Sequence, residues 1–391
     1  MRVAFFAHFP FHRPILGPIH DVLAGRVECL LSSDRGRIVA FDPHVLVMTA
    51  HAHLEYFRHR LPHALTVNVR HGMIGKRIMT RLPARTSARA FDFVCVGAEA
   101  RLEAYERGGA TPRQYWLTGY PQLDPLFRRD PPPPLPLDPA RKTVLYAPTW
   151  NLGLSSAAML GSRLVELIRG QAPDVNIVIK PHPVIGDWRP RWMACWERLA
   201  ATAPGVHLVR DTHADVTPYM LAADVLISDA SSVIFEFLAL DRPIILITNP
   251  RHAADPAHDA DDITWRWRDV GDEIHDDVGR LPGAVAAALR APDARAERRR
   301  HYAGLLFGPF TDGRNHARVA EKVLEAGAAL AHAGTPSPGL TLSTRRGHAE
   351  LWHDLRTRLW ASATLRRLVL GPLEALRLRS RGLLLRPRAA R

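Results

Sequence analysis

The sequence predicts an α/β protein with two doubly wound domains that face each other across a cleft, followed by a basic helical tail. Short apolar runs alternate with helical patterns through the first 333 residues, which is typical of parallel sheets covered by helices. A proline cluster at residues 130–139 interrupts this alternation once, because proline continues neither a helix nor a sheet. The 391 residues, 47% of them hydrophobic, suffice for two cores.

The same alternation of strands and helices restarts after the prolines. Buried strands are expected at residues 3–7, 44–50, 65–69, 91–97, 142–150, 175–180, 206–210, 223–229 and 243–248. The helical, Ala- and Arg-rich segment 282–333 is expected to complete the second domain and to pack back against the first. We therefore divide the chain into a Rossmann-like domain at 1–130, a Pro-rich linker at 131–140, a second Rossmann-like domain at 141–333 and a basic amphipathic tail at 334–391.

The net charge of +13 is concentrated near the end of the sequence. Residues 345–391 carry twelve arginines against Glu350, Asp354 and Glu374, so this tail holds +9 of the total. A uniformly basic surface would indicate nucleic acid, whereas a basic tail on a nearly neutral body indicates an anchor. We therefore expect no nucleic-acid partner.

Cysteine spacing and hydropathy favour a cytoplasmic setting. Cys29, Cys95 and Cys195 lie far apart, which disfavours a disulfide framework and a zinc ribbon. The first residues lack the apolar core of a signal peptide, and no apolar run reaches the roughly 18 to 20 residues of a membrane span. The sequence thus predicts a protein that is neither secreted by that route nor integral to a membrane.

The strongest candidate site is the segment 228–236, with the sequence SDASSVIFE. It follows an apolar strand and opens an apolar helical run, which places Ser231 and Ser232 at a helix N-terminus suited to phosphate. Glu236 follows one turn later, where its carboxylate could accept hydrogen bonds from a ribose diol. Plain helix capping by Ser and Asp is the structural alternative.

Two histidines follow other predicted strands. In Lys180-Pro-His182-Pro, two prolines fix the backbone around the imidazole, and the cationic pair suits a diphosphate leaving group. His71 and Gly72 follow the strand at 65–69; His71 is the candidate general base, and Gly72 permits close approach of a ligand. An ordinary turn histidine is the alternative in both places.

The remaining strings are less specific. Thr149 ends the first strand of the second domain and either lines the nucleotide pocket or belongs to an ordinary strand exit. The acidic stretch 255–277 has no fixed metal-ligand spacing and is expected to be a solvated loop rather than a metal site. The sequence contains no GxGxxG, HExxH or GxSxG motif, so nicotinamide, zinc-protease and α/β-hydrolase chemistry lack their usual signals.

Seven strings in this order resemble the CDP-glycerol glycerophosphotransferase family. From about Asn68 to Val319 they are RHGMIGK, FDFVCVG, GYPQLDPLF, VLYAPTW, IKPHP, ISDASSVIFEFLALDRPIILI and TDGRNHARV. The resemblance implies a GT-B fold, with an acceptor-side first domain and a nucleotide-donor second domain, and transfer without a metal or another cofactor. It also implies a CDP-glycerol or related CDP-polyol donor and a lipid-linked or polymeric cell-surface glycan acceptor.

The resemblance also assigns roles to the candidate residues. His71 would be the general base, and His182 with Lys180 would stabilise the diphosphate. Ser228, Asp229, Ser231 and Ser232 would surround the phosphates, and Glu236 occupies the acidic position that follows. The implied reaction is in-line displacement at phosphorus with release of CMP.

Three further interpretations concern the tail and the competing functions. The tail, with Trp352, Trp360 and interleaved leucines, is expected to dock on the anionic inner face of the cell membrane, with a solvated Arg-rich end as the alternative. The first rival function is a GT-B glycosyltransferase that uses a CMP- or UDP-sugar in envelope polysaccharide synthesis, or a relative of the UDP-N-acetylglucosamine 2-epimerases. The second is a non-enzymatic binding protein, which would not require catalytic residue types at strand ends.

Overall fold

Two parallel six-stranded sheets form the framework of the protein. The computed structural model describes residues 1–50, 53–70, 91–102 and 114–333. The strand order is β2-β1-β3-β4-β5-β6 in the first sheet and β12-β11-β10-β7-β8-β9 in the second. The strands are β1 (Arg2–Phe6), β2 (Glu28–Ser32), β3 (Val45–Met48), β4 (Leu65–Asn68), β5 (Phe93–Val96), β6 (Gln114–Leu117), β7 (Thr143–Tyr146), β8 (Asn176–Ile179), β9 (Val206–Leu208), β10 (Val225–Ser228), β11 (Ile244–Ile247) and β12 (Asp272–Ile274).

Helices cover the faces of both sheets. In the described residues the α-helices are α1 (Arg13–Ala24), α2 (Arg35–Phe41), α3 (Leu54–Arg60), α4 (Asp124–Arg128), α5 (Ala157–Leu160), α6 (Leu164–Arg169), α7 (Ile185–Trp188), α8 (Pro190–Thr202), α9 (Thr217–Ala222), α10 (Val233–Phe237), α11 (Ile263–Arg266), α12 (Leu281–Arg290), α13 (Ala296–Phe307) and α14 (Asn315–Ala333). Because helices lie on both faces, central strands such as β3, β7 and β11 are buried at every residue.

The first sheet has a core on each face. On one face, Phe5 and Val47 pack with Val319 and Val323 of α14. On the other face, Phe6 and Met48 belong to the cluster that contains Phe57 of α3. Helix α14 comes from the end of the described chain, so it returns from the second half to cover the first sheet, as the sequence predicted for the segment 282–333.

The second sheet draws part of its core from residues that precede the prolines. Tyr120, Leu123 and Leu126 pack with Phe235 and Leu306 in the second domain's core. No helix or strand lies between Arg128 and Thr143 in this described stretch. The domain boundaries at 1–130, 131–140 and 141–333 stay predictions. The packing of residues 120–126 shows that the polypeptide reaches the second domain before its proline-rich segment.

Three strands were absent from the sequence prediction: β2, β6 and β12. Each lies at an edge of its sheet, and each has residues that are only half-buried or are exposed, whereas most of the predicted strands are central and buried. Edge strands do not need a continuous apolar run, so their sequences ECLLS, QYWL and DEI carry little strand signal. The segment 255–277 contains α11, a 3-10 turn at Arg268–Val270 and β12. The prediction that this segment is a solvated loop was therefore wrong.

The described residues include no helix that is both long and apolar enough to cross a bilayer. The predicted basic tail, residues 334–391, lies outside the described residues.

Candidate functional site

A cavity of about 430 Å³ lies between the two sheets, at the carboxyl ends of their strands. Segments that follow β1, β7, β8, β9 and β10 line it, as expected for ligand sites of open α/β sheets. Its volume falls in the usual range for small-molecule sites. The polar residues on its wall are Gln122, Lys180, His182, His213, Asp215, Thr217, Ser231, Ser232 and Glu236.

The first domain supplies a largely apolar wall to this cavity. Phe9 and Phe11, in the loop after β1, stack with ring centroids 5.2 Å apart. Phe11 also stacks on His213 of the second domain, with centroids 6.1 Å apart. Pro14 and Ile15 extend the wall. These residues were not among the candidates predicted from the sequence, because aromatic residues after a strand are also common in cores.

Lys180 joins two loops at the edge of the cavity. Its Nζ donates to the carbonyl oxygens of Pro181 at 3.0 Å and Thr212 at 2.8 Å. Burial lowers the pKa of Lys180 to about 8, and the carboxylates of Asp211 and Asp215 oppose that shift. An anionic ligand would favour the charged ammonium, so this lysine is suited to respond to a phosphate.

His182 lies on the same wall, half-buried beside Trp150, with ring centroids 6.4 Å apart. Its Nδ1 accepts from the backbone N–H of Val184 at 3.4 Å. A neutral imidazole whose Nδ1 accepts carries its proton on Nε2. The local backbone therefore prepares Nε2 as a hydrogen-bond donor, which fits the predicted role beside a diphosphate.

Ser231, Ser232 and Glu236 also line the cavity. Ser232 is the N-cap residue of α10, so the two serines lie at a helix N-terminus as predicted, although the Ser232 side chain makes no capping hydrogen bond. Helix α10 is short and is followed by a 3-10 turn at Leu238–Leu240. Burial raises the pKa of Glu236 to about 7; the charge of Asp215 adds to this effect, and a hydrogen bond from Ser232 opposes it. Near neutral pH this carboxyl can therefore either accept or donate a hydrogen bond.

The other three candidates of the second domain, Thr149, Ser228 and Asp229, lie behind the wall. None of them is among the residues that line the cavity. The Ser228 hydroxyl donates to the carbonyl of Ala147 at 2.7 Å. The carboxylate of Asp229 accepts from the backbone N–H groups of Thr149, Ser156 and Ala230, at 2.7 to 2.8 Å, and from the Ser156 hydroxyl at 2.8 Å. These contacts hold the loops that carry the wall.

Arg268 is a further residue of this support that sequence reasoning missed. Its side chain is buried, and it donates to the carbonyl of Asp229, to the hydroxyl of Thr248 and to the carboxylate of Glu273, the last at 2.8 Å. Burial lowers the pKa of Arg268, and Glu273 opposes that effect. The only sequence signal was an arginine among tryptophans and aspartates, which resembles a surface loop.

Asp124 connects the start of α14, the last helix described, to the segment that crosses between the domains. Its buried carboxylate accepts from the backbone N–H groups of Asn315 at 3.0 Å and His316 at 2.8 Å, and it pairs with His316 Nδ1 at 2.6 Å. Two strings of the family resemblance, GYPQLDPLF and TDGRNHARV, thus meet at the start of α14. Their geometry indicates a structural joint.

The proposed base, His71, and its neighbour Gly72 lie outside the described residues. The strand that precedes them, β4, pairs with β3 and β5 in the middle of the first sheet. Their roles therefore stay predictions. Within the described residues no three His, Cys, Asp or Glu side chains cluster as a candidate metal site.

Comparisons with known proteins agree with the resemblance found in the sequence. The family model described as CDP-glycerol:poly(glycerophosphate) glycerophosphotransferase matches residues 21–325. A curated relative, the teichoic acid glycerol-phosphate primase of Bacillus subtilis (strain 168), is 27% identical over 168 residues. That match covers 41% of this chain and 40% of the primase, so the chain spans well under half of that relative's length.

Solved structures confirm the fold class. The wall teichoic acid polymerase TagF matches with a TM-score of 0.64 at 15% identity, over 84% of this chain and 90% of that chain. A putative UDP-N-acetylglucosamine 2-epimerase from Listeria monocytogenes matches with a TM-score of 0.55 at 12% identity, over 87% and 99% of the two chains. At such low identities these similarities bear on the fold alone: it is of the GT-B type, as predicted.

Proposed function

The chain belongs to the CDP-glycerol:poly(glycerophosphate) glycerophosphotransferase family, and we propose that it transfers a glycerol phosphate unit from CDP-glycerol, or a related CDP-polyol. The acceptor is a hydroxyl of a lipid-linked or polymeric cell-surface glycan, and CMP is released. The observation that carries this proposal is the convergence of Lys180, His182, Ser231, Ser232 and Glu236 on one cavity wall. The rival transfer of a sugar from a CMP- or UDP-sugar is not favoured, because the family model that matches is that of a glycerophosphotransferase.

The second domain supplies the groups that suit the nucleotide and its diphosphate. Lys180, His182 Nε2 and the two serine hydroxyls offer cationic and neutral hydrogen-bond donors to phosphate oxygens. Glu236 offers a carboxyl for the ribose hydroxyls. Asp229, Ser228 and the backbone at Thr149 act indirectly, because they hold the loops together.

The reaction is a displacement at the β-phosphorus, which carries the glycerol. The acceptor hydroxyl gives its proton to the base, for which His71 is the candidate, and its oxygen forms a new bond to phosphorus. The bond from the β-phosphorus to the bridging oxygen breaks, and CMP departs with that oxygen and its electron pair. His182 and Lys180 then face the charge that grows on the leaving phosphate, where such donors contribute most to rate.

The acceptor and the tail suggest where the protein works. We propose that it acts in the cytoplasm, at the inner face of the cell membrane, with the Arg-rich segment 334–391 against anionic lipid. At about 1 kcal/mol for each basic residue near such a surface, a few engaged arginines would hold the protein there. Deletion of residues after Gly339 should abolish binding to anionic liposomes at moderate salt, and unchanged binding would contradict this location.

A nucleotide-release assay tests the proposed activity. The full chain is incubated with a membrane extract as acceptor, EDTA, and CDP-glycerol, CDP-ribitol, CMP-sugars or UDP-sugars in turn. We expect EDTA-resistant CMP release from a CDP-polyol that falls about 10²- to 10³-fold in His182→Ala, as for the loss of one transition-state donor. His59→Ala, at an exposed position of α3, is the matched control. Release only from a nucleotide-sugar would contradict the proposal.

A further inference from the structure

Asp215 places a carboxylate on the wall of a cavity that otherwise suits phosphate. Asp215 lines the cavity and is half-buried. Its Oδ1 accepts from the backbone N–H and from the hydroxyl of Thr217, at 3.0 and 2.9 Å. Among the described residues no hydrogen bond reaches Oδ2, and Oδ2 is not one of the buried polar atoms that lack a partner. One oxygen therefore fixes the carboxylate, and the other remains accessible to a ligand.

The charge of this carboxylate restricts which part of the donor it can bind. A carboxylate only accepts hydrogen bonds, and it repels a phosphate. Lys180 and His182, which also line the cavity, suit the diphosphate. Asp215 therefore suits a part of the donor that carries hydrogen-bond donors, which is the nucleobase, the ribose or the polyol.

The neighbours of Asp215 favour the nucleobase among these three. Phe11 and His213 line the cavity, and their rings are nearly parallel, with an interplanar angle of 6°. Flat aromatic rings on a cavity wall provide a surface on which a nucleobase stacks. The charge of Asp215 raises the pKa of Glu236, so the two carboxyl groups lie near each other. Because Glu236 is placed for the ribose and the base is joined to the ribose, a base beside His213 lies within reach of Asp215.

We propose that Asp215 Oδ2 accepts a hydrogen bond from the exocyclic amino group of cytosine, and that it thereby selects a cytidine donor over a uridine donor. This inference rests on the proposed function and adds a specificity-determining residue to it. Cytosine carries an amino group at the position where uracil carries a carbonyl oxygen. A carboxylate at that position binds the first group and repels the second.

Asp215→Asn tests this role because it replaces an acceptor with a donor. The Thr217 N–H needs an acceptor, so the asparagine oxygen takes the place of Oδ1 and the NH₂ group takes the place of Oδ2. Calorimetry measures Kd for CMP and for UMP in the full-length wild type and in the variant. We expect the wild type to prefer CMP by about tenfold or more, and Asp215→Asn to lose or reverse that preference. The two nucleotides share their ribose and phosphate, so effects on Lys180 or Glu236 cancel in the ratio of the two Kd values.

Two further variants complete the test. Asp211→Asn, at an exposed position of the same loop, removes an equal charge from a residue that does not line the cavity, and it should keep the preference for CMP. Asp215→Ser keeps a hydroxyl oxygen as acceptor for the Thr217 N–H but offers the base no carboxylate. It should bind both nucleotides without preference, and it provides a second removal of the carboxylate in case the asparagine variant misfolds.

Each outcome bears on the inference. An unchanged preference for CMP in both Asp215 variants would overturn it. Equal weakening of CMP and UMP would reduce Asp215 to a structural residue and overturn it as well, and so would a wild type that prefers UMP. If the wild type binds neither CMP nor CDP-glycerol, the proposed function itself fails, which is a distinguishable result.

Discussion

The carboxylate of Asp229 holds the cavity loops together, so Asp229→Asn tests whether this support matters. In the wild type one carboxylate oxygen accepts from the backbone N–H groups of Thr149 and Ala230, and the other accepts from the N–H and the hydroxyl of Ser156. Asparagine keeps one oxygen and replaces the other with an NH₂ group. The Ser156 hydroxyl can rotate to accept from that group, whereas the Ser156 N–H loses its acceptor.

The magnitude follows from this count of hydrogen bonds. One bond to a charged acceptor is lost, worth roughly 1.5–3 kcal/mol, and two others lose their charge assistance. Burial opposes these bonds, since it raises the pKa of Asp229 and makes the carboxylate itself costly. We therefore expect the variant to lose about 3 kcal/mol of unfolding free energy and to bind CMP more weakly, because the loop that carries Ser231 and Ser232 is released.

Urea unfolding and CMP titration provide the assay. The midpoint should fall without a change in the urea dependence of the unfolding free energy, since the same surface is exposed on unfolding. Asp261→Asn, at an exposed position of the acidic segment, serves as the control and should change the unfolding free energy by less than about 0.5 kcal/mol. An Asp229→Asn protein with wild-type stability and CMP affinity would refute the reasoning.

Three further predictions follow from the geometry. Because the pKa of Lys180 is about 8, CDP binding at pH 8 should take up about half a proton, and calorimetry in buffers of different ionisation enthalpy should find that uptake missing in Lys180→Met. Asp124→Ala should lower the unfolding free energy by about 2–4 kcal/mol in urea, because the first N–H groups of α14 lose their acceptor; a change below 0.5 kcal/mol would contradict the joint. The pKa of Glu236 is raised from its ordinary value of 4.5 to about 7, so between those two values the folded protein keeps a proton that the unfolded chain has released. The free energy of unfolding should therefore fall by about 3 kcal/mol as the pH rises through that range. Glu236→Gln should remove this fall, and an unchanged pH dependence would contradict the assignment.

The sequence predicted most of the fold because central strands of parallel sheets are buried on both faces. Runs such as VLVM at β3 and IILI at β11 need no packing information to be recognised. The edge strands β2, β6 and β12 were not predicted, because their partly exposed residues do not form a continuous apolar run. The sequence also did not predict where the chain crosses between the domains, since only the structure shows that Tyr120 and Leu126 pack with the second sheet.

The candidate site was predictable where residues follow strands directly. Lys180, His182, Ser231, Ser232 and Glu236 line the cavity, because parallel strands end at one edge of their sheet. The roles of Asp229 and Ser228 as internal supports depend on which side of the loop each side chain faces, which a motif does not encode. Arg268 comes from a segment distant in sequence, so it had no local signal.

The most direct test of the proposed transfer is to measure both products of one reaction. Purified protein is incubated with CDP-glycerol and a synthetic lipid-linked acceptor that ends in a free hydroxyl, and the acceptor mass and the released nucleotide are followed together. We expect one glycerol phosphate to be added to the acceptor for each CMP released. A sugar added from a CMP- or UDP-sugar, with no addition from CDP-glycerol, would contradict it.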